Sequence, residues 1–175
     1  MASFPERLLR ASLLQADTYE EVEADTGANW QALAVVLLSS AAVGIGGIAN
    51  SGAEGILVQI VCAVVGWWTW AYTTYFIGTK LLPTAETSAD PGQLLRTMGF
   101  AGAPGIVRLL MLVPALAFPA WVVGTLWELV AMVVAVRQAL DYSSTLRAIA
   151  VAAIGFPVYA ITLIASVLFL GPWPI

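Results

Sequence analysis

A chain of 175 residues that is 60% hydrophobic and only 10% charged, with a mean hydropathy of +0.87, lies outside the range of ordinary soluble domains. A soluble fold of this length could bury only part of that apolar surface, whereas four or five bilayer-spanning segments of about 20 residues each would use nearly all of it. With no histidine and a single cysteine, the composition leaves no Ser-His or Cys-His dyad, no HExxH zinc site, no histidine-ligated haem and no internal disulfide.

The expected architecture is all-α and polytopic: an N-terminal segment, residues 1–29, followed by a five-helix membrane domain, residues 30–175. "FPERLLRASLL" places Phe4, Leu8, Leu9 and Leu13 on neighbouring turns with Arg7 and Arg10 alongside. That pattern predicts a short amphipathic helix lying on the cytoplasmic leaflet. "DTYEEVEAD" follows, with five acids in nine residues. Thr18 three residues before Glu21 reads as a capping box, starting a helix that runs into the first span. The acids fit a solvated helix start, with a basic partner as the alternative. Nothing in residues 1–29 has the long apolar core and small-residue cleavage site of a signal peptide, so the first span is expected to direct its own insertion.

The first span is "WQALAVVLLSSAAVGIGGI", 30–48, and the second covers 56–79, joined by a polar turn, "ANSGAEG". Ser40, Gly44 and Gly47, with Ala42 and Gly46, suggest a small-residue packing face in span one. Cys62 lies within the apolar second span. "KLLPTAETSADPGQ", 80–93, reads as a loop outside the membrane, with Pro83 and Asp90-Pro91-Gly92 as breakers. Three further spans follow at about 98–118, 121–136 and 146–170, with Pro114 and Pro157 inside spans and a turn near Pro119.

Six of the seven basic residues, Arg7, Arg10, Lys80, Arg96, Arg137 and Arg147, fall on connectors of one side. The positive-inside rule therefore predicts a cytoplasmic N-terminus and an external or lumenal C-terminus. Arg108 is the seventh, and it lies inside span three. A lone charge at mid-bilayer costs at least about 2.5–3.5 kcal/mol. Glu128 in span four is the matching acid. With a turn at Pro119, the two residues sit at depths differing by about 3 Å at 1.5 Å per residue, so they are expected to pair inside the bundle. The alternative is that Arg108 snorkels to the headgroups and Glu128 is protonated. A single pair can be a register pin between helices or part of a transport path. The pin is favoured because the other polar residues inside the spans are mainly Ser, Thr, Gln and Tyr, which routinely bond to helix backbone.

In "GWWTWAYTTYF", 66–76, the later aromatics suit an interfacial belt. Trp67 and Trp68 fall near the middle of the span, where an indole N–H needs a partner. Trp67, Trp68 and Trp70 are accordingly read as helix-packing residues or as contacts for a lipid, a hydrophobic ligand or another protein.

The segments "LRTMGFAGAPGIVRLL" and "GTLWELVAMVVAVRQALDYSSTLRAIAV", with "TYEEVEAD" ahead of span one, resemble the bacterial members of the YIP1 family, small membrane proteins with five spans. "GFAGAP", with Gly99, Phe100 and Pro104, is similar to that family's GYxxxP signature, with phenylalanine in place of tyrosine. The resemblance implies a multi-pass protein, here of a bacterial inner membrane. Eukaryotic members are associated with membrane traffic and prenylated Rab-type GTPases, but this chain lacks their DLYGP motif, so no ligand or catalytic residue carries over. The expectation is a non-enzymatic scaffold, partner-binding or membrane-organising component without a cofactor or metal. Its partners would be the lipid bilayer, an unidentified membrane or cytoplasmic protein and a second copy in a homo-oligomer, and not nucleic acid. The competing readings are a transporter or channel subunit using Arg108 and Glu128, and an accessory subunit of a larger membrane complex.

Overall fold

The computed structural model describes residues 2–170, with backbone alone at 48–55, 163, 166, 167, 169 and 170. The expected C-terminal end "GPWPI" lies outside the described residues. Helices make up the fold and no strand occurs among the described residues. Among the described residues five helical segments are long and apolar enough to cross a membrane: Thr26–Gly46, Ile56–Leu81, Pro91–Leu112, Pro114–Ala139 and Thr145–Thr162.

Helix α1, Phe4–Ser12, has Pro5 in its first turn, where a missing N–H costs nothing. It ends at Leu14, which takes a left-handed φ of 61° and folds the chain back into α2, Ala16–Ala24. The expected capping box does not form. Glu21 is already engaged, its Oε1 accepting from the backbone N–H of Ala2 and from Arg7, while Thr18 is buried inside the helix. Nor does α2 run into the first span. Asp25 is extended and its carboxylate accepts from the Gly27 N–H at 2.9 Å, which starts a separate 3-10 turn, Thr26–Ala28.

Helix α3, Asn29–Gly46, reverses at Gly47 into α4, Ile48–Phe76, which continues as a π-helical turn, Ile77–Leu81. The stretch expected as a polar turn, 49–55, is therefore helical backbone. The reversal falls instead on the Gly46-Gly47 pair, because two residues without side chains let two helices meet there. Beyond the connector, Asp90 caps α5, Pro91–Phe100, through the N–H groups of Gly92 and Gln93, and Gln93 returns a bond to the Asp90 N–H. Pro91 and Gly92 thus open a helix rather than break one, and the third span begins earlier than the sequence suggested.

After Ala101 and Gly102 the chain enters a ten-residue 3-10 helix, Ala103–Leu112. It turns at Val113, passes through a 3-10 turn, Pro114–Leu116, and enters α6, Ala117–Ala139. Pro114 lies in this turn and not inside a span, and Pro119 sits in the first turn of α6, where its ring is tolerated. Helix α7, Thr145–Leu170, contains Pro157.

Helix α3 packs on α4, α5 and the 3-10 helix; α6 covers the other side of the 3-10 helix; and α7 packs on α4 and α6. One buried cluster joins Ala11, Tyr19 and Val22 of the first two helices to Ala32, Val35, Phe100, Ala103, Ala131 and Ala135. Helix α1 is therefore docked on the bundle, beyond the peripheral contact expected of a surface helix. Exposed apolar side chains such as Leu57, Phe118, Leu126 and Ile161 cover the outside, the surface a bilayer requires.

Candidate functional site

The 3-10 helix sets the site. At three residues per turn, positions three apart share one face, so Gly102, Gly105, Arg108 and Met111 form a row toward α3. A β-carbon on Gly102 would approach Val35 and Ser39 at 4.0 and 3.9 Å. One on Gly105 would overlap the Ser39 hydroxyl and the Glu128 carboxylate. One on Gly46 would meet the Met111 side chain at 2.9 Å. Glycine at these places lets the 3-10 backbone lie directly on α3.

Within that seam the Arg108 Nη2 donates to Glu128 Oε2 at 2.6 Å and to the Thr125 hydroxyl at 3.1 Å. The Ser39 hydroxyl donates to the other carboxylate oxygen of Glu128 at 3.0 Å. Arg108 is 7% exposed and the Glu128 side chain 26%. Gly124 adds room on the α6 side, where a β-carbon would come within 3.0 Å of the Arg108 side chain. Three elements thus converge on one charge pair: α3, the 3-10 helix and α6. Arg108 and Glu128 were legible in the sequence, whereas Ser39, Thr125, Gly105 and Gly124 were not singled out. The signal that could have found Gly105 is the three-residue spacing Gly102, Gly105, Arg108, which a search for α-helical spacing passes over.

The signature residues lie just before this seam. Gly99 brings α5 against α3, since a β-carbon there would sit 2.8 Å from that of Ala32. Phe100 is fully buried and meets Phe4 of α1 edge-on, with ring centroids 6.5 Å apart. Pro104 is buried in the first turn of the 3-10 helix. These three positions fix α5 to α3, α1 to the bundle, and the start of the 3-10 helix.

The three tryptophans separate. Trp67 donates its indole N–H to the Leu95 carbonyl at 3.1 Å, tying α4 to α5. Trp68 is half exposed, stacks on Tyr72 at 4.9 Å and lines a shallow apolar groove with Val64 and Val65. Trp70 is buried and stacks on Tyr159 of α7 at 4.7 Å. Cys62 is buried. Among the described residues no three His, Cys, Asp or Glu side chains gather as a metal ion would need.

A second polar assembly lies at the end of the bundle that carries α1 and α2. Arg7, 1% exposed, bonds Glu21 at 2.9 Å, Asp25 at 2.8 Å and Gln31 at 3.1 Å. Arg96 of α5 donates to the carbonyls of Val22 and Glu23 and to Asn29. Together they hold α2 against the membrane helices. The N–H of Ala2 and Arg7 hold the Glu21 carboxyl below its ordinary value, and Arg7 does the same for Asp25. Glu23 moves the other way, pushed up to about 7 by burial and by the nearby Asp141, with Glu20 and Asp90 adding to the shift and Arg96 opposing it.

The Yip1 domain family matches residues 11–167, most of the chain. The chain belongs to the Yip1 family. Within this Yip1 chain, the matched region takes in all five candidate spans, both arginine assemblies except Arg7 itself, and the whole 3-10 row. No curated protein and no solved structure matches it. The Yip1 assignment makes the protein a multi-pass membrane protein in contact with lipid, and the recognised family agrees with the resemblance carried by Gly99, Phe100 and Pro104.

Proposed function

We propose that this Yip1 protein is a non-catalytic membrane scaffold, in which the Arg108–Glu128 pair locks the packing of three spans while α1 and α2 form a docked cap that meets a partner. The observation that carries this reading is the closure of the charge cluster. The bonds of Arg108 and Glu128 run to each other and to Ser39 and Thr125, so the pair holds helices together. A conduction path would instead need a succession of polar groups along the membrane normal. The exposed carboxylates of Asp17 and of Glu20, the latter also accepting from the Gln138 amide, suit a basic surface on a membrane or cytoplasmic protein. The clustering of Arg7, Arg10, Lys80, Arg96, Arg137 and Arg147 at the cap end supports a cytoplasmic cap, in a bacterial inner membrane.

Flux measurements in liposomes test the scaffold reading. Wild type and the Arg108→Leu/Glu128→Leu double variant should pass protons and small ions at the same background rate. A wild-type flux abolished in a correctly folded double variant would establish the transporter reading, which the partial exposure of Glu128 favours. Orientation has its own test in a Cys62→Ala background. A cysteine at the exposed Ser143 should resist an impermeant thiol reagent in intact cells and react after permeabilisation, and labelling in intact cells would reverse the topology.

A further inference from the structure

We infer that the Arg108–Glu128 ion pair selects the backbone form of the third span, holding residues 103–112 as a 3-10 helix that becomes a shorter α-helix when the pair is lost. The inference rests on the pin reading and adds a conformational consequence to it.

A 3-10 helix of ten residues is well beyond the three or four at which such runs usually stop, so something outside the local backbone must favour it. The two helical forms present different faces of the same residues. At about 120° per residue the 3-10 form stacks Gly102, Gly105, Arg108 and Met111 in a straight row. At about 100° per residue the α-form rotates Arg108 by about 100° relative to Ala103, five residues earlier. That rotation takes the guanidinium off Glu128 and brings Leu109 and Leu112 toward the seam. Both are exposed in the present form, as are Leu110 and Val113, so the alternative would bury side chains that now face lipid. Only the 3-10 form places the bare Gly105 backbone beneath the Glu128 carboxylate while Arg108 reaches the same carboxylate from the next turn. Pro104 and Pro114 flank the segment, at its second residue and just past its end, so neither lies at an interior position that would forbid α-helical hydrogen bonding. The two forms also differ in length. Ten residues span about 20 Å at 2.0 Å per residue and about 15 Å at 1.5 Å per residue, so conversion draws the far end of the span inward by about 5 Å.

Distances between spin labels test this on the full chain in lipid, in a Cys62→Ala background. One label replaces Trp30 at the start of α3 and the other Leu112 at the end of the 3-10 helix, both exposed positions. A control pair joins position 30 to the exposed Leu126 on α6. In Arg108→Leu/Glu128→Leu the 30–112 distance should shorten by about 5 Å with the 30–126 distance unchanged. Arg108→Met/Glu128→Gln, which keeps the approximate length of both side chains and removes both charges, should behave alike and carries the test if the double leucine variant does not fold. Arg108→Lys, which keeps a cation for Glu128, should retain the wild-type distance. A folded neutral variant with the wild-type distance overturns the inference, as does a shortened distance in Arg108→Lys. The pin reading fails by a different measurement, if the stability losses of the two single leucine variants simply add in the double variant.

Discussion

Arg7 and Arg108 are almost equally withdrawn from solvent, yet they are held in opposite ways. Arg7 sits at the rim of the bundle with two carboxylates and an amide around it, and those carboxylates stay partly open to water, 24% and 18% exposed. Arg108 lies within a span with one carboxylate, and two hydroxyls complete the cluster. At the rim, a lost partner can be replaced by water, so the network tolerates damage and responds to salt. The Glu128 side chain is as open as the rim carboxylates, 26% exposed, but at its depth the surroundings are hydrocarbon and not water, so nothing replaces a lost partner and one ion pair becomes an all-or-none contact.

The largest effect should therefore come from breaking the inner pair. Arg108→Leu and Glu128→Leu are each expected to lower stability in detergent by about 3–5 kcal/mol, and the double variant to recover much of that because no charge is left unpaired. Thermal unfolding of all four proteins checks this, and a double variant as weak as the summed singles would erase the contrast with the rim. Arg96 provides an intermediate case, since it binds backbone carbonyls of α2 instead of carboxylates. Arg96→Leu should cost about 1–3 kcal/mol by leaving those carbonyls unpaired and should release α2 to limited proteolysis near Asp25, with little dependence on salt. Persistent protection of α2 would show that apolar contacts of Tyr19 and Val22 suffice.

Arg7→Leu should be milder, about 1–2 kcal/mol, because its carboxylates can rehydrate. The wild-type attachment of α1 should weaken with added salt, read by proteolysis of residues 1–25, and a salt-independent cap would make the rim behave like the interior. The smallest effect is the pH response of the cap. Glu21 and Asp25 have lowered values, so their contribution is present above their ordinary range and is lost as pH falls below that range through the lowered values. Glu23 has a raised value, so its contribution is complete below the ordinary 4.5 and is lost as pH rises toward about 7. Cap protection should thus be greatest near the ordinary glutamate value of 4.5 and decline on either side of it, and Glu23→Gln should remove the decline on the neutral side. An unchanged decline in that variant would assign it to another group.

Much of this molecule was legible in the sequence for one reason: apolar runs long enough to span a bilayer can hardly do anything else. The all-helical fold, the five candidate spans and the Yip1 resemblance followed from runs and from "GFAGAP". The boundaries were less legible, because glycine and proline carry different meanings in different places. Gly46-Gly47 reversed the chain where the polar residues 49–55 were expected to, and Pro91 opened a helix because Asp90 stood ready to cap it. The capping role expected of Thr18 and Glu21 was lost to a competitor distant in sequence, Arg7. The two charges of the inner site could be found by asking where a permanent charge can survive in a membrane. Ser39 and Thr125 could not, since hydroxyls in spans ordinarily bond their own helix and only the 3-10 geometry turns the facing backbone toward them.

At Gly105 the missing side chain is itself part of the receptor. A single added carbon there would occupy the space of the Ser39 hydroxyl and the Glu128 carboxylate, so no gradual series of larger residues leads away from glycine while the pair persists. Charged residues can be exchanged in steps, arginine for lysine or glutamate for aspartate, with reach and strength changing by degrees. Glycine offers no such intermediate. The glycine three residues ahead of the buried cation is thus as much a part of the pair as its two charges, since bulk there displaces the very groups that hold the spans together.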